Sequence, residues 1–158
     1  MMSYVRNIVI VLMLFLTGTA SMSARTPVEE VIAKYEDASG ARSFSAQGMK
    51  MIFARKLMKS TQIAPVASDV DTLAILKMQE AAQSVQQKFV HDLVQALKSY
   101  KYYGSRPSKN GEVEVYYLPS GPDKVSELVI YNPSIFSLNY LAGHFTLQQL
   151  LALDKPDE

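Results

Sequence analysis

The chain has 158 residues with 16 Lys and Arg, 15 Asp and Glu and no Cys, which gives a formal net charge of +1 at pH 7. Its first 24 residues hold one base and no acid, so residues 25–158 are neutral, with 15 residues of each sign. This balance argues against a basic nucleic-acid footprint, a polybasic membrane-surface protein and a highly charged disordered chain. The absence of Cys excludes disulfide scaffolds, thiolate zinc sites and cysteine nucleophiles.

Residues 1–24 predict a secretory signal peptide. A single arginine precedes nine consecutive apolar residues, 8–16, and small residues follow. This order is typical of a signal that is cleaved after a small residue, here Ala20, Ser23 or Ala24. The apolar run is shorter than the roughly 20 residues of a membrane span, and no lipoprotein Cys follows it. We therefore expect a periplasmic or secreted protein with no stable membrane span after cleavage.

Residues 25–158 predict a single domain that ends in a frayed, charged tail at 154–158. Its first helix begins with Thr26 as N-cap and Pro27 at the first helical position, with Glu29 placed to close a capping box. One apolar stripe at helical spacing marks the buried side of this helix: Val28, Val31, Ile32 and Tyr35.

The next segments alternate between strand and helix patterns. We expect a short strand at 41–45, a helix at 48–59, a loop at 61–70 and a strand at 72–78 that is buried on both faces. The apolar side of the second helix is predicted to comprise Met49, Ile52, Phe53 and Leu57.

The clearest helix spans residues 81–98, where apolar residues recur every three to four positions. Beyond it, four β-rich runs are separated by turns rich in Pro, Gly, Asn and Ser, which predicts an antiparallel meander. The runs are 102–106, 111–118, 125–131 and 135–142. A last helix is expected after Thr146, whose capping box Gln149 would close.

Together these elements predict an α+β fold, a two-layer sandwich with a mostly antiparallel sheet and helices packed on one face. Strand alternation places one set of side chains under the helices: Leu128, Ile130, Phe136, Leu138 and Tyr140. It places a second set on the opposite face: Glu127, Val129 and Tyr131, together with Ser137 and Asn139.

Tyrosine is the unusual component of the composition, with nine residues against six Phe and no Trp. Tyr offers rigid amphipathic contact area that is favoured at interfaces. Tyr116, Tyr131 and Tyr102 are therefore predicted to form a binding face. The alternative is ordinary sheet packing, because Tyr is also a good strand residue.

Three further residues are candidates for a site. Glu112 and Glu114 project from one side of a strand and resemble a general acid and base pair, although exposed acids also keep strand edges soluble. His144 follows Gly143 near the last helix, without the partners of a triad or zinc site. No nucleotide-binding or nucleophile motif is present. We predict no catalytic residue, no metal site and no cofactor.

These observations favour a non-catalytic periplasmic binding module that meets another envelope protein, in a role such as envelope sensing, and that does not bind nucleic acid. An alternative is a carrier of small apolar ligands, with a pocket between helices and sheet lined by Met49, Met51, Met58 and Met78. A hydrolase using Glu112, Glu114 or His144 is the third hypothesis. The oligomeric state is left open.

Several segments resemble a family of small exported α+β envelope proteins of Bacteroidota whose domain has no known function. The resemblance lies in the signal peptide, the run at 100–103, the hairpin at 110–117, the strand at 125–130 and the strand-Gly-helix run at 141–150. It implies an α+β fold and an envelope location, and it supplies no catalytic residues. The lack of a lipobox Cys departs from relatives that look like lipoproteins.

Overall fold

The structure is a computed structural model that describes residues 25–61 and 63–153. The predicted signal peptide, its cleavage sites and the tail at 154–158 lie outside the described residues, so these expectations stay predictions. The described residues form an α+β fold in which helices pack against a six-stranded antiparallel sheet. The predicted fold class is confirmed.

The elements follow the predicted order with longer strands. The α-helices are α1 (Pro27–Tyr35), α2 (Met49–Met58), α3 (Gln83–Leu97) and α4 (Leu147–Ala152). The strands are β1 (Arg42–Gln47), β2 (Val70–Lys77), β3 (Lys101–Ser108), β4 (Gly111–Gly121), β5 (Lys124–Asn132) and β6 (Ser137–Thr146). The segment predicted as a loop contains a 3₁₀-helix, Ala64–Asp69.

The strands lie in the order β1-β2-β6-β5-β4-β3, and every neighbouring pair is antiparallel. Strands β3 to β6 are consecutive neighbours, which confirms the meander. Strand β2 pairs with β6 and extends the sheet to β1. Strands β1 and β3 are therefore the two edges of the sheet.

Helices α1 and α3 pack on one side of the sheet over a buried cluster that includes Val28, Phe89, Leu93, Val129 and Tyr140. The predicted stripe of α1 is buried. The other side of the sheet carries a second buried cluster, formed with α2, the 3₁₀-helix and α4. Apolar side chains on both faces of the central strands are covered as a result, as was predicted for β2.

The predicted assignment of strand faces is wrong for β5, whereas Leu138 and Tyr140 of β6 lie under α1 and α3 as predicted. Val129 and Tyr131 lie under α1 and α3, whereas Leu128 belongs to the cluster on the other side. The reason is the register between β5 and β6, which places Val129 opposite Tyr140 and Leu128 opposite Leu141. Directly opposed residues of an antiparallel pair share a face, and no sequence pattern specifies that register when both faces are apolar.

Candidate functional site

Tyr102 and Tyr116 lie side by side near the β3 edge of the sheet. They are opposed residues of β3 and β4, and their ring centroids are 5.3 Å apart at an interplanar angle of 54°. The Tyr116 hydroxyl donates a hydrogen bond of 2.8 Å to Glu114 Oε2. Burial, reinforced by this bond to the Glu114 carboxylate, raises the pKa of Tyr116. The pair is a small aromatic surface, with Tyr102 exposed and Tyr116 half-buried.

Tyr131 does not extend that surface, because its side chain is only 5% exposed. Its ring packs against Phe89 of α3 with a centroid distance of 6.3 Å. Its hydroxyl is buried without a hydrogen-bond partner among the described residues. Burial and then the Glu114 charge raise the pKa of Tyr131 to about 12. The expectation that Tyr131 lies on an exposed binding face is therefore wrong.

The two candidate acids of β4 are engaged locally. Glu112 accepts a hydrogen bond from the Ser105 hydroxyl of the adjacent strand, and Glu114 accepts the bond from Tyr116. Each carboxylate therefore has its own hydroxyl partner. The Ser105–Glu112 bond crosses from β3 to β4, whereas the Tyr116–Glu114 bond lies within β4.

His144 lies in β6 and is largely exposed. Its Nε2 is 3.5 Å from Asp71 Oδ2, and the two side chains are 91% and 57% exposed. An open groove lies elsewhere, between α1 and α3, where Lys34 donates a 2.7 Å hydrogen bond to Asp92. The structure therefore does not bring His144 together with Glu112 or Glu114 at that groove.

The four methionines of the carrier hypothesis are dispersed. Met51 and Met58 belong to the cluster beneath α2, and Met78 belongs to the cluster on the opposite side of the sheet. Met49 is 82% exposed. These four side chains do not line one common pocket.

A buried polar cluster was missed by the sequence analysis, which placed Glu127 on an open face. Glu127 is only 3% exposed. Its carboxylate accepts hydrogen bonds from Thr26 Oγ1 at 2.5 Å, from the Tyr100 hydroxyl at 3.2 Å and from the Tyr140 hydroxyl. The Tyr140 hydroxyl also lies 2.6 Å from Glu29 Oε1. The cluster thus joins the start of α1 to the central strands β5 and β6.

This cluster also explains why the predicted capping box of α1 does not form. Thr26 is the N-cap, as predicted, but its side chain makes no capping hydrogen bond. Its hydroxyl donates to Glu127 instead, and Glu29 is drawn to Tyr140. Desolvation and the adjacent carboxylates raise the pKa of Tyr140. A tertiary contact has replaced the local bond.

The second unforeseen feature is an exposed apolar surface on α2. The predicted helix forms, and its buried residues are Met51, Ala54 and Met58, which lie opposite the apolar side that the sequence spacing marked. The larger apolar side chains point outward: Met49 is 82% exposed, Ile52 52%, Phe53 71% and Leu57 72%. Phe44 of the edge strand β1 is 53% exposed and projects from the side of the sheet that α2 covers, since it is two positions from buried Ala46 and shares its face. These five residues, Phe44, Met49, Ile52, Phe53 and Leu57, are called the α2 patch.

The sequence contained a signal for this surface. Apolar residues occur on both sides of α2, one side with Met49, Phe53 and Leu57 and the other with Met51, Ala54 and Met58. A helix that is apolar all round needs cover on every side. In the structure the side with Met51, Ala54 and Met58 is buried, and the side with Met49, Phe53 and Leu57 is exposed to solvent.

No protein-family model matches the chain, and no curated protein sequence or solved structure is significantly similar to it. The resemblance to exported proteins of Bacteroidota therefore stays a prediction. Within residues 25–61 and 63–153, no helix is both long and apolar enough to cross a membrane. Nor do the described His, Asp and Glu side chains include a group of three placed to hold a metal ion.

Proposed function

We propose that this chain is an exported, non-catalytic binding module that acts through the α2 patch. The observation that carries the proposal is the exposure of four large apolar side chains on one helix and a fifth on the adjoining strand. Contiguous exposed apolar surface on a soluble protein marks an interaction site. Burying one such side chain contributes about 1.5–3 kcal/mol, so a partner that covers several of them gains substantial affinity.

The location of the patch supports binding rather than folding. The core on that side of the sheet is already closed by Met51, Ala54 and Met58 together with the 3₁₀-helix and α4. The outward side chains of α2 therefore contribute little to stability of the isolated chain. The patch replaces the Tyr-lined face of the sequence hypothesis, since Tyr131 is buried.

The proposal is tested by site-specific photo-crosslinking in the producing cell. A photoreactive phenylalanine analogue is placed at Phe53 and, separately, at Leu57. The matched control carries it at Val94, an exposed apolar residue of α3 on the opposite side of the sheet. Adducts that form at Phe53 and Leu57 and are absent at Val94 support a partner on the patch.

Two outcomes would overturn the proposal. One is the absence of any adduct at both α2 positions when the protein is present at its normal level. The other is the same adduct pattern at Val94, which shows nonspecific collision. Export itself is checked by fractionation, and full-length chain in the inner membrane contradicts it.

A further inference from the structure

The surroundings of the α2 patch differ sharply in charge from the rest of the chain. Between residues 42 and 68 there are five basic residues and no acid, although residues 25–158 are neutral as a whole. Two of the five are paired: Arg42 lies 2.9 Å from Glu80 Oε1, and Arg55 donates to the Val70 carbonyl and lies 3.8 Å from Asp71. The exposed bases of α2 and its C-cap are Lys50, Lys56 and Lys59.

These lysines are placed around the exposed apolar side chains. At about 100° per residue, Lys56 falls between Ile52 and Met49 on the helix surface, while Lys50 and Lys59 fall at its two margins. A lysine can lay its methylene stem along an apolar surface and keep its ammonium group in a polar layer. The outward side of α2 therefore combines apolar insertion with cationic flanks, which is typical of a helix that lies in a membrane interface.

We propose that the α2 patch docks on an anionic lipid surface, with Phe53, Leu57 and their neighbours entering the acyl boundary and the lysines meeting lipid phosphates. This inference rests on the proposed function and names the partner of the same surface. The helix lies on the surface and does not span it. The neutral total charge, which argued against a membrane-surface protein, conceals this local separation of charge.

Charge complementarity favours lipid over a second copy of the chain. Two copies that buried their α2 patches against each other would bring Lys50, Lys56 and Lys59 of both copies into one interface. Like charges in such an interface oppose association. An anionic leaflet instead attracts each lysine.

The absence of Cys permits a direct test with the full chain as recovered from cells, its N-terminus read by mass spectrometry. A single introduced cysteine, Phe53→Cys, is labelled with an environment-sensitive fluorophore, and Val94→Cys is the matched control. Vesicles of phosphatidylglycerol with phosphatidylethanolamine are compared with vesicles of phosphatidylcholine. We expect a blue shift and a gain of intensity at position 53 with the anionic vesicles, and neither at position 94. The comparison of positions remains informative even if an uncleaved leader holds the chain on the vesicle.

The contribution of charge is tested with paired variants. Each lysine beside an anionic surface strengthens binding by about fivefold, so the variant Lys50→Gln/Lys56→Gln is expected to bind anionic vesicles roughly 25-fold more weakly. The control Lys88→Gln/Lys98→Gln removes the same charge from exposed positions of α3 and its C-cap and is expected to leave the affinity unchanged. Binding of the unsubstituted chain is expected to weaken as salt is raised.

The lipid inference is overturned by an unshifted label at position 53, by equal shifts at both positions or by equal shifts with both vesicle types. It is also overturned if the label shifts in vesicle-free solution as protein concentration rises, since that indicates a second copy. Folding of the labelled variant is checked by circular dichroism, with Leu57→Cys as the substitute if it unfolds. If protein adducts form in cells but the chain does not bind vesicles, the lipid inference is rejected and the proposed function is kept. If neither adducts nor vesicle binding are observed, the lipid inference and the proposed function are both rejected.

Discussion

Removal of the Glu127 carboxylate should destabilise the fold more than any other single loss of a charged group discussed above. In Glu127→Leu, the hydroxyls of Thr26 and Tyr100 lose the carboxylate to which they donate, while Tyr140 retains Glu29. A buried hydroxyl left without an acceptor costs about 1–3 kcal/mol, and this applies in full to buried Tyr100 and in part to half-buried Thr26. Relief of the buried charge offsets part of this loss. We expect a net decrease of about 3 kcal/mol in the free energy of unfolding.

The variant Glu127→Gln separates hydrogen bonding from charge. Its amide oxygen can still accept from Thr26 and Tyr140, and its NH₂ group can donate to the Tyr100 oxygen. We expect a decrease of only about 1 kcal/mol. The control is Glu112→Leu, which removes an exposed strand carboxylate and should change stability by less than about 0.5 kcal/mol.

The assay is urea unfolding at pH 7 followed by far-UV circular dichroism and tyrosine fluorescence, the chain having no Trp. For a domain of this size, a loss of 3 kcal/mol lowers the melting temperature by roughly 10 °C. A Leu variant as stable as the unsubstituted protein, or more stable than the Gln variant, would refute the reasoning. That result would show that the hydroxyls find other acceptors or that desolvation of Glu127 dominates.

Three further predictions concern the core, the tyrosines and the last helix. Tyr131→Phe removes a buried hydroxyl without a partner and should leave the free energy of unfolding equal or raise it by up to about 1 kcal/mol. Tyr131→Ser should lower it by about 3–5 kcal/mol. A Ser variant that is more stable than the Phe variant in urea unfolding would contradict the packing of Tyr131. Stability should fall as pH rises above 10.0, the ordinary Tyr pKa, toward the raised value of about 12 for Tyr131, because the folded state then holds more protons than the unfolded state. Urea unfolding from pH 8 upward measures this loss, and phenolic absorbance that titrates fully near pH 10 in the folded protein would contradict it. Thr146→Ala removes the side chain that caps α4 and should cost about 1 kcal/mol, while Thr146→Ser should be close to neutral in the same assay.

Local chemistry made several elements predictable. The stripe of α1 has one apolar side, so its burial follows from the 3.6-residue period. The capping box of Thr146 and Gln149 forms as predicted, because the partners are three residues apart and the tertiary hydrogen bonds of Gln149 use its Nε2, which leaves Oε1 for the cap. The meander follows from its turn residues, which hold neighbouring strands together in chain order.

Sequence patterns did not decide which side is buried where both sides of a helix or strand are apolar. Helix α2 has apolar residues on both sides, and the periodicity could not say that Met51 is buried and Phe53 is exposed. Strand β5 is apolar on both faces, so alternation left Tyr131 on either side until the register with β6 was known. Of the predicted site residues, Tyr102 and Tyr116 lie together, whereas His144 and Glu112 have separate local partners.

Taken alone, the sequence determined the order and type of the elements, the antiparallel meander and the absence of cysteine chemistry, because each depends on neighbours a few residues apart. Export and the resemblance to envelope proteins of Bacteroidota stay predictions that also come from the sequence. Only the tertiary structure decided which apolar surfaces are covered, since coverage depends on contacts between residues that are distant in the chain. Glu127 is buried beneath the start of α1, where Thr26, 101 positions earlier in the chain, donates a hydrogen bond to it. The α2 patch is exposed because only the opposite side of that helix packs against the sheet.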